Sequence, residues 1–260
     1  CPDGRYPDLN DGSRASLAYW CGIGLRYFPD HPVIRYFATE GREGHPPAYT
    51  SVALPYAGLA FMRTGWERDD LWCFMDAGDF GRGHQHEDKL NVLLSAYGKN
   101  LLPDAGIFAY DDSPMRRFVL GTRSHNCALV DDLEQNRRGR YSWRNEPMDA
   151  YAGMKWIFSK TVDSVEGVYD QGFGPAYLPV THRRKLILFK EGLSGSQPFA
   201  LVVDRFTAED GEAHTFAPSY QLGFEPYTDD GNAFTADHGD GVTLTVMGSV
   251  PHTVVMGQTE

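Results

Sequence analysis

Leu71-Trp-Cys-Phe-Met-Asp-Ala-Gly-Asp-Phe-Gly-Arg-Gly-His84-Gln-His86-Glu-Asp-Lys-Leu90-Asn-Val-Leu-Leu-Ser-Ala-Tyr97-Gly-Lys-Asn100 is the stretch that decides how this chain is read. It holds two apolar runs of strand length, Leu71 to Asp76 and Lys89 to Tyr97, the second closing at Gly98-Lys99-Asn100. Short apolar or β-branched runs bounded by Gly, Asp and Asn are the pattern of β-strands. The same punctuation recurs outward, at Gly58 to Arg63, Asn126 to Val130, Arg184 to Phe189, Phe199 to Phe206, His214 to Leu222 and Val242 to Met247. A series of this kind predicts a predominantly all-β fold, an antiparallel β-sandwich.

Upstream the pattern differs. Residues 13 to 28 read as one helix, with Ser13 as N-cap, apolar positions at Leu17, Trp20, Cys21 and Leu25, and a stop at Pro29. Residues 41 to 48 carry two prolines and two glycines with no apolar period, so the expected division is a helical segment and linker over 1–47 and a β-domain over 48–260. No helix is expected between Lys89 and Arg123.

Composition narrows the function classes. The 260 residues are 42% hydrophobic, with 28 Gly and 16 Pro, which fits a turn-rich globular fold and not a disordered chain. No apolar run reaches the roughly 18 residues of a membrane span. A formal charge of -11 argues against nucleic acid as partner, because polyphosphate binding needs a dense positive footprint. Cys1, Cys21, Cys73 and Cys127 form no C-x-x-C pair and no disulfide framework, so the redox compartment stays open. The chain starts Cys-Pro-Asp-Gly with no signal-peptide pattern, which suggests a piece of something longer.

Between the two strand runs, Gly81 to Lys89 concentrates His84, His86, Glu87 and Asp88. If this segment is extended, its period of two puts both imidazoles on one face about 7 Å apart, pointing into one cavity. Either or both histidines, together with Asp104 after Pro103 and His125 before Asn126, would make a set of His and carboxylate ligands with an open position. That composition suits zinc better than iron or manganese. Isolated histidines such as His45, His182, His238 and His252 read instead as hydrogen-bonding groups. The string H-Q-H-E-D-K also resembles part of the metallo-β-lactamase-like signature, but Lys89 stands where that motif needs a His ligand.

A longer resemblance runs through four ordered blocks. These are Tyr56-Ala-Gly-Leu-Ala-Phe-Met-Arg-Thr-Gly-Trp66, Phe74 to Leu90 with the H-x-H, Leu101-Leu-Pro-Asp104-Ala-Gly106, and Arg117-Phe118 with Thr122-Arg-Ser-His125-Asn126. Together with His182-Arg-Arg-Lys-Leu and Phe199 to Phe206, they resemble the heparinase II/III-like polysaccharide lyases over roughly 56 to 222. The resemblance implies a two-layer super-sandwich preceded by the last helical remnant of an α/α toroid domain. It implies a structural zinc on His86, Asp104 and His125, the carboxylate standing eighteen residues after His86. It implies that His84 is catalytic, facing the substrate cleft, and that the substrate is a uronic-acid polysaccharide cleaved by β-elimination. The base, a Tyr on the toroid in that family, has no counterpart here, so this region alone is expected to be feeble or inactive.

Arg82, Arg116, Arg117, Arg123, Arg137, Arg138, Arg140 and Arg144 gather around these blocks in an acidic chain, and guanidinium forks suit carboxylates and sulfates. Arg82, Arg123, Tyr110 and Asn126 are the expected substrate contacts, with Trp143 a further aromatic able to stack on a sugar. The rival expectation is a non-catalytic carbohydrate-binding module on the same sandwich, its metal purely structural. A polysaccharide substrate points to a periplasmic or secreted bacterial protein, with the cytoplasm and a homodimer both left open.

Overall fold

The structure, a computed structural model, describes residues 1–12, 14–81, 83–140, 153–191, 197–222, 227–231 and 233–249. The chain divides into two compact units, residues 1–221 and 222–260. In the first, two helices, α1 (Leu17–Gly24) and α2 (Pro32–Ala38), precede a five-stranded antiparallel sheet in the order β1 (Val52–Leu54), β2 (Leu59–Arg63), β3 (Trp72–Asp76), β4 (Val92–Ala96), β5 (Lys99–Leu102). Then come α3 (Pro114–Leu120), a 3₁₀ turn (Thr122–Ser124), β6 (Ala128–Val130) and the short α4 (Arg137–Arg140). A four-stranded antiparallel sheet follows, built from β7 (Lys155–Ile157), β8 (Val162–Tyr169), β9 (Val180–Phe189) and β10 (Phe199–Ala208) in sequence order, and β11 (Phe216–Pro218) pairs back with β6. The second unit carries a three-stranded antiparallel sheet, β12 (Tyr227–Asp229), β13 (Ala233–Asp237) and β14 (Thr243–Met247). Among the described residues no helix is long and apolar enough to cross a membrane.

Strand alternation explains the layering. Ala60, Met62, Cys73, Met75 and Val92 of the five-stranded sheet share one buried core with Val165, Tyr169, Leu186 and Leu188 of the four-stranded sheet, so the two sheets form the expected sandwich. The packing is tight at Gly167 of β8, where a Cβ would stand 2.7 Å from the Ala77 Cβ, 2.7 Å from Leu90 Cδ2 and 3.1 Å from Met75 Cε. The alternate residues of β3 and β4, Trp72, Phe74 and Leu93, turn to the other face and pack with Leu59, Phe61, Cys1 and Leu9. β3 is therefore apolar on both faces, and the segment before α1 lies over the outer one.

The helical expectation for 13 to 28 is corrected. The cap is Ser16, whose Oγ accepts from Tyr19 N–H at 3.2 Å, while Ser13 lies outside the described residues. The helix ends at Gly24, a residue type that disfavours continuation, and Pro32 opens a second helix at its first position. α3 is a further correction, because Ser113 caps it through Arg116 N–H and Pro114 starts it in a region expected to hold no helix.

Candidate functional site

The segment between β3 and β4 carries His84 and His86, and it is held from both ends. At its return Leu90, with φ +72°, donates its N–H to Asp76 O at 2.6 Å, and Asn91 N–H reaches Asp88 O at 3.0 Å. From the outside, Glu87 N–H donates to Leu120 O at 2.9 Å, the Thr122 hydroxyl to Glu87 O at 2.7 Å, and Gln135 bridges both backbone groups of Lys89. Arg137, fully buried, donates Nη2 to His86 O at 2.8 Å and to Asp88 Oδ1 at 3.1 Å, while the Glu87 carboxylate accepts from the backbone N–H of Arg137 and Arg138 at the start of α4. The buried charges Glu87, Asp88 and Lys89 each have a partner, the first two Arg137 and the third Asp79 at 2.8 Å, which offsets the cost of their burial.

This clamped loop brings His86 to Asp104, just past β5, and His125, just past the 3₁₀ turn. One ligand atom from each lies within 4.8 Å of the others, and all three residues are buried. The rings of His86 and His125 are 5.2 Å apart. Asp104 accepts from His125 Nδ1 at 2.8 Å, from Gly106 N–H at 2.8 Å and from Asn91 Nδ2 at 2.5 Å. Burial opposes charge on His125, yet Asp104 beside it holds the imidazole up at about 9. Burial likewise pushes Asp104 upward, but the facing His125 and the hydrogen bonds bring its carboxyl below the ordinary value. For His86 burial wins and disfavours the cation. Among the described residues, His86 Nδ1 and His125 Nε2 are buried without a hydrogen-bond partner. Two orphaned imidazole nitrogens beside a carboxylate form a donor set that fits zinc.

His84 is not on the face expected for it. Its φ is +59°, in the left-handed region, so the segment is not extended. Its side chain is 69% exposed, whereas that of His86 is 0% exposed. The two imidazoles do not share a cavity; they share a carboxylate. Asp11, only 2% exposed, takes His84 Nδ1 on Oδ2 and His86 Nε2 on Oδ1, each at 3.1 Å, and Arg116 binds both oxygens at 2.8 and 2.5 Å. The Arg116 hydrogen bonds, helped by the two histidines and opposed by burial, hold the Asp11 carboxyl well below the usual range. Tyr110 joins them, its hydroxyl 3.1 Å from His84 Nδ1 and its ring 5.1 Å from the Arg116 guanidinium carbon.

The other expected contacts lie elsewhere. Arg123 pairs with Asp132 at 2.8 Å and Glu134 at 3.3 Å on the rim of a separate cavity of about 330 Å³ that Gln135 and Asn136 also line. Asn126 is fully buried; its Nδ2 donates to Pro103 O at 2.9 Å and its Oδ1 accepts from Gln221 N–H at 2.6 Å, so its amide is spent within the protein. Arg137 and Arg116, expected in a basic lining, are buried and paired instead. Arg82, Arg144 and Trp143 fall outside the described residues. Asp11, Asn10 and Arg116 escaped the sequence as partners of the H-x-H. Asn10 Oδ1 accepts His86 N–H at 3.1 Å, and neither Asn10 nor Asp11 stands in any motif that marks it.

Comparison with known proteins gives the same frame. The family described as Heparinase II/III-like, C-terminal, matches residues 46–253. Heparin-sulfate lyases of Pedobacter heparinus (28% identical over 75% of this chain and 26% of theirs) and Bacteroides stercoris (34% over 46% of this chain and 19% of theirs) are relatives, so the chain spans about a quarter or less of the relatives it matches. Crystal structures share the fold: heparan sulfate lyase HepC from Pedobacter heparinus superposes with a TM-score of 0.75 at 23% identity over 95% of this chain and 37% of that one, and the heparinase III BT4657 gene product with 0.75 at 20% over 95% and 36%. With a family match over most of its length and a sandwich that agrees, the chain belongs to the heparinase II/III-like C-terminal family.

Proposed function

We propose that this chain is the β-sandwich region of a polysaccharide lyase that cleaves a uronic-acid polysaccharide by β-elimination. The observation that carries the reading is the division of labour in one loop: His86 is turned inward to His125 and Asp104, while His84, two residues away, is turned outward beside Tyr110. The relatives named as heparin-sulfate lyases support a glycosaminoglycan as the substrate class.

Elimination removes the C5 proton of a uronate, shifts that electron pair into a C4–C5 double bond, and expels the C4 oxygen as the new alcohol of the departing chain. The obstacle is the carboxylate already attached to C5, which opposes the developing negative charge. A donor on that carboxylate stabilises the aci-carboxylate, each such preorganised donor supplying a few kcal/mol. The Tyr110 hydroxyl is exposed for such a contact, and the exposed His84 ring beside it is placed to take part in proton transfer.

His86, Asp104 and His125 would hold one structural zinc, and its chemistry there is cross-linking, tying the H-x-H loop to the segments after β5 and after the 3₁₀ turn. Residues 1–47 we assign to the end of an upstream α/α toroid, which would carry the base, and a polysaccharide substrate favours a site of action outside the cytoplasm.

The test is a longer protein containing this chain and its upstream residues, assayed on heparan sulfate, hyaluronate, alginate and glucuronan for the ultraviolet absorbance of the unsaturated product. Product from at least one of them, abolished by His84→Ala with folding and metal content retained, is the expected result. A well-folded longer protein that yields product from none would overturn the lyase reading and leave sugar binding as the remaining use of the fold.

A further inference from the structure

We propose that Asp11 is a positioning residue shared by both histidines of the loop: its carboxylate leaves Nε2 as the free nitrogen of His84 and Nδ1 as the free nitrogen of His86. The roles given to the two histidines rest on the proposed function; which nitrogen is free does not.

The argument is one of donors and acceptors. An ionised carboxylate only accepts, so each imidazole nitrogen facing it carries the proton. Asp11 faces Nδ1 of His84 and Nε2 of His86, both at 3.1 Å, one on each oxygen. Arg116 fills the second position of each oxygen, at 2.5 and 2.8 Å, so the carboxylate is saturated by four donors and has no freedom to rotate. Since neutral imidazole has one N–H, the lone pair of each ring goes to its other nitrogen. For His86 that nitrogen is Nδ1, the buried atom that has no partner among the described residues. A buried, aimed lone pair beside Asp104 and His125 is what a metal ligand needs, and a carboxylate behind the opposite N–H is the usual way of fixing a ligating imidazole. For His84 the lone pair falls on Nε2 of a ring that is mostly exposed, as an outward-facing acceptor needs.

The placement of Asp11 is itself informative. It lies 75 residues before His86 and outside the matched residues 46–253, on the segment whose Leu9 packs against β3 and whose Asn10 takes His86 N–H. The segment ahead of the first helix thus belongs to the site, and one carboxylate couples the inward half of the loop to the outward half.

The experiment is a two-bond ¹H–¹⁵N correlation spectrum of the histidine rings in the 260-residue chain, at a pH where they are neutral, stripped of metal and then with zinc chloride added. The expected wild-type spectrum shows an unprotonated Nε2 for His84, identified by its loss in His84→Gln, and an unprotonated Nδ1 for His86 that shifts on zinc addition. Asp11→Asn, whose Nδ2 donates where one carboxylate oxygen accepted, is expected to reverse the tautomer of at least one ring and to weaken zinc binding by roughly 10–100-fold in competition with a chromogenic chelator. Asn10→Ala, which removes a neighbouring contact and keeps the carboxylate, is expected to leave both tautomers in place. The opposite tautomer in either wild-type ring, unchanged tautomers in Asp11→Asn, or the same reversal in Asn10→Ala would each overturn the proposal. The wild-type spectrum decides even if Asp11→Asn fails to fold. A longer protein inactive on every uronate polymer would sink the lyase reading while leaving these readouts untouched.

Discussion

His84 and His86 show how much two residues of separation can decide. The H-x-H stood out in the sequence as a candidate site through its density of histidine and acid next to a strand, and the convergence of His86 with Asp104 and His125 was legible through the blocks that carry them. The orientation was not legible. Period-two reasoning assumes an extended chain, and the left-handed φ of His84 breaks that assumption, sending one ring outward and the other to 0% exposure. The substitutions should therefore separate. His86→Ala is expected to lower zinc from about one ion per chain to a trace and to lower the thermal midpoint, because metal binding at a structural site is folding energy. His84→Ala is expected to keep both, as its ring is exposed and its lost hydrogen bonds are worth about 1 kcal/mol. Elemental analysis and calorimetry on the two variants check this, and equal zinc in both would remove His86 from the ligand set.

At the scale of elements, legibility followed apolar runs and not strand length: the three-residue β6 and β11 fall within the expected runs Asn126 to Val130 and His214 to Leu222, whereas the eight-residue β8, whose valines alternate with Asp, Ser, Glu and Gly, was not expected. β9 and β10 carry ten residues each and lie over the expected runs Arg184 to Phe189 and Phe199 to Phe206, whereas β1 and β7, three residues each, lie outside every expected run and pair with a longer neighbouring strand. α3 did carry a signal, Ser113-Pro114 at a helix start, but its seven residues show no sustained apolar period. What joins the sheets is equally non-local. Arg184 on β9 is fully buried, forks onto Asp204 of β10 at 2.7 and 3.1 Å, and donates onward to Leu90 O and Asn126 O at 2.9 and 2.5 Å. His182 Nε2 adds a contact to Asp204 at 2.7 Å. Burial pushes the Asp204 carboxyl up, but His182 and Arg184 together hold it well below the carboxylate range, and burial holds His182 below its own ordinary value. Both folded values lie below the unfolded ones, so both contributions are present at neutral pH and diminish on acidification. That for His182 fades once the pH drops below about 6.5, and that for Asp204 below about 3.9. Asp204→Asn should cost about 3–5 kcal/mol at pH 7 by leaving Arg184 buried without its counter-charge, and the deficit relative to wild type should shrink toward pH 3. Urea titrations across that range measure it, and a pH-independent deficit would contradict the ion-pair account. Gly167→Val tests the sheet contact itself: a side chain forced against Ala77 and Leu90 should cost about 1–3 kcal/mol in the same titration, with no change in zinc content.

At the scale of the whole molecule, the candidate metal residues and the sandwich core are separable in space as well as in sequence. His86, Asp104 and His125 sit on connections after β3, after β5 and before β6, while the core shared by the two sheets is apolar and complete without them. The connections depend on one another: Thr122 and Leu120 hold Glu87, Gln135 holds Lys89, Arg137 holds His86, and Asp11 reaches across from the N-terminal segment. Removing the ion should then act unevenly. A zinc held as proposed by His86, Asp104 and His125 would be the common anchor of the backbone from 84 to 91, from 104 to 106 and from 120 to 126, whereas β8, β9 and β10 are secured by their own ladders and by Arg184. Hydrogen exchange followed by mass spectrometry, on the chain with zinc and after treatment with a chelator, should show faster exchange confined to those connections and unchanged protection in β8 to β10. Global loss of protection would mean that the metal nucleates the sandwich itself, and no change at all would mean that the clamps from 120 to 137 suffice to hold the loop without an ion.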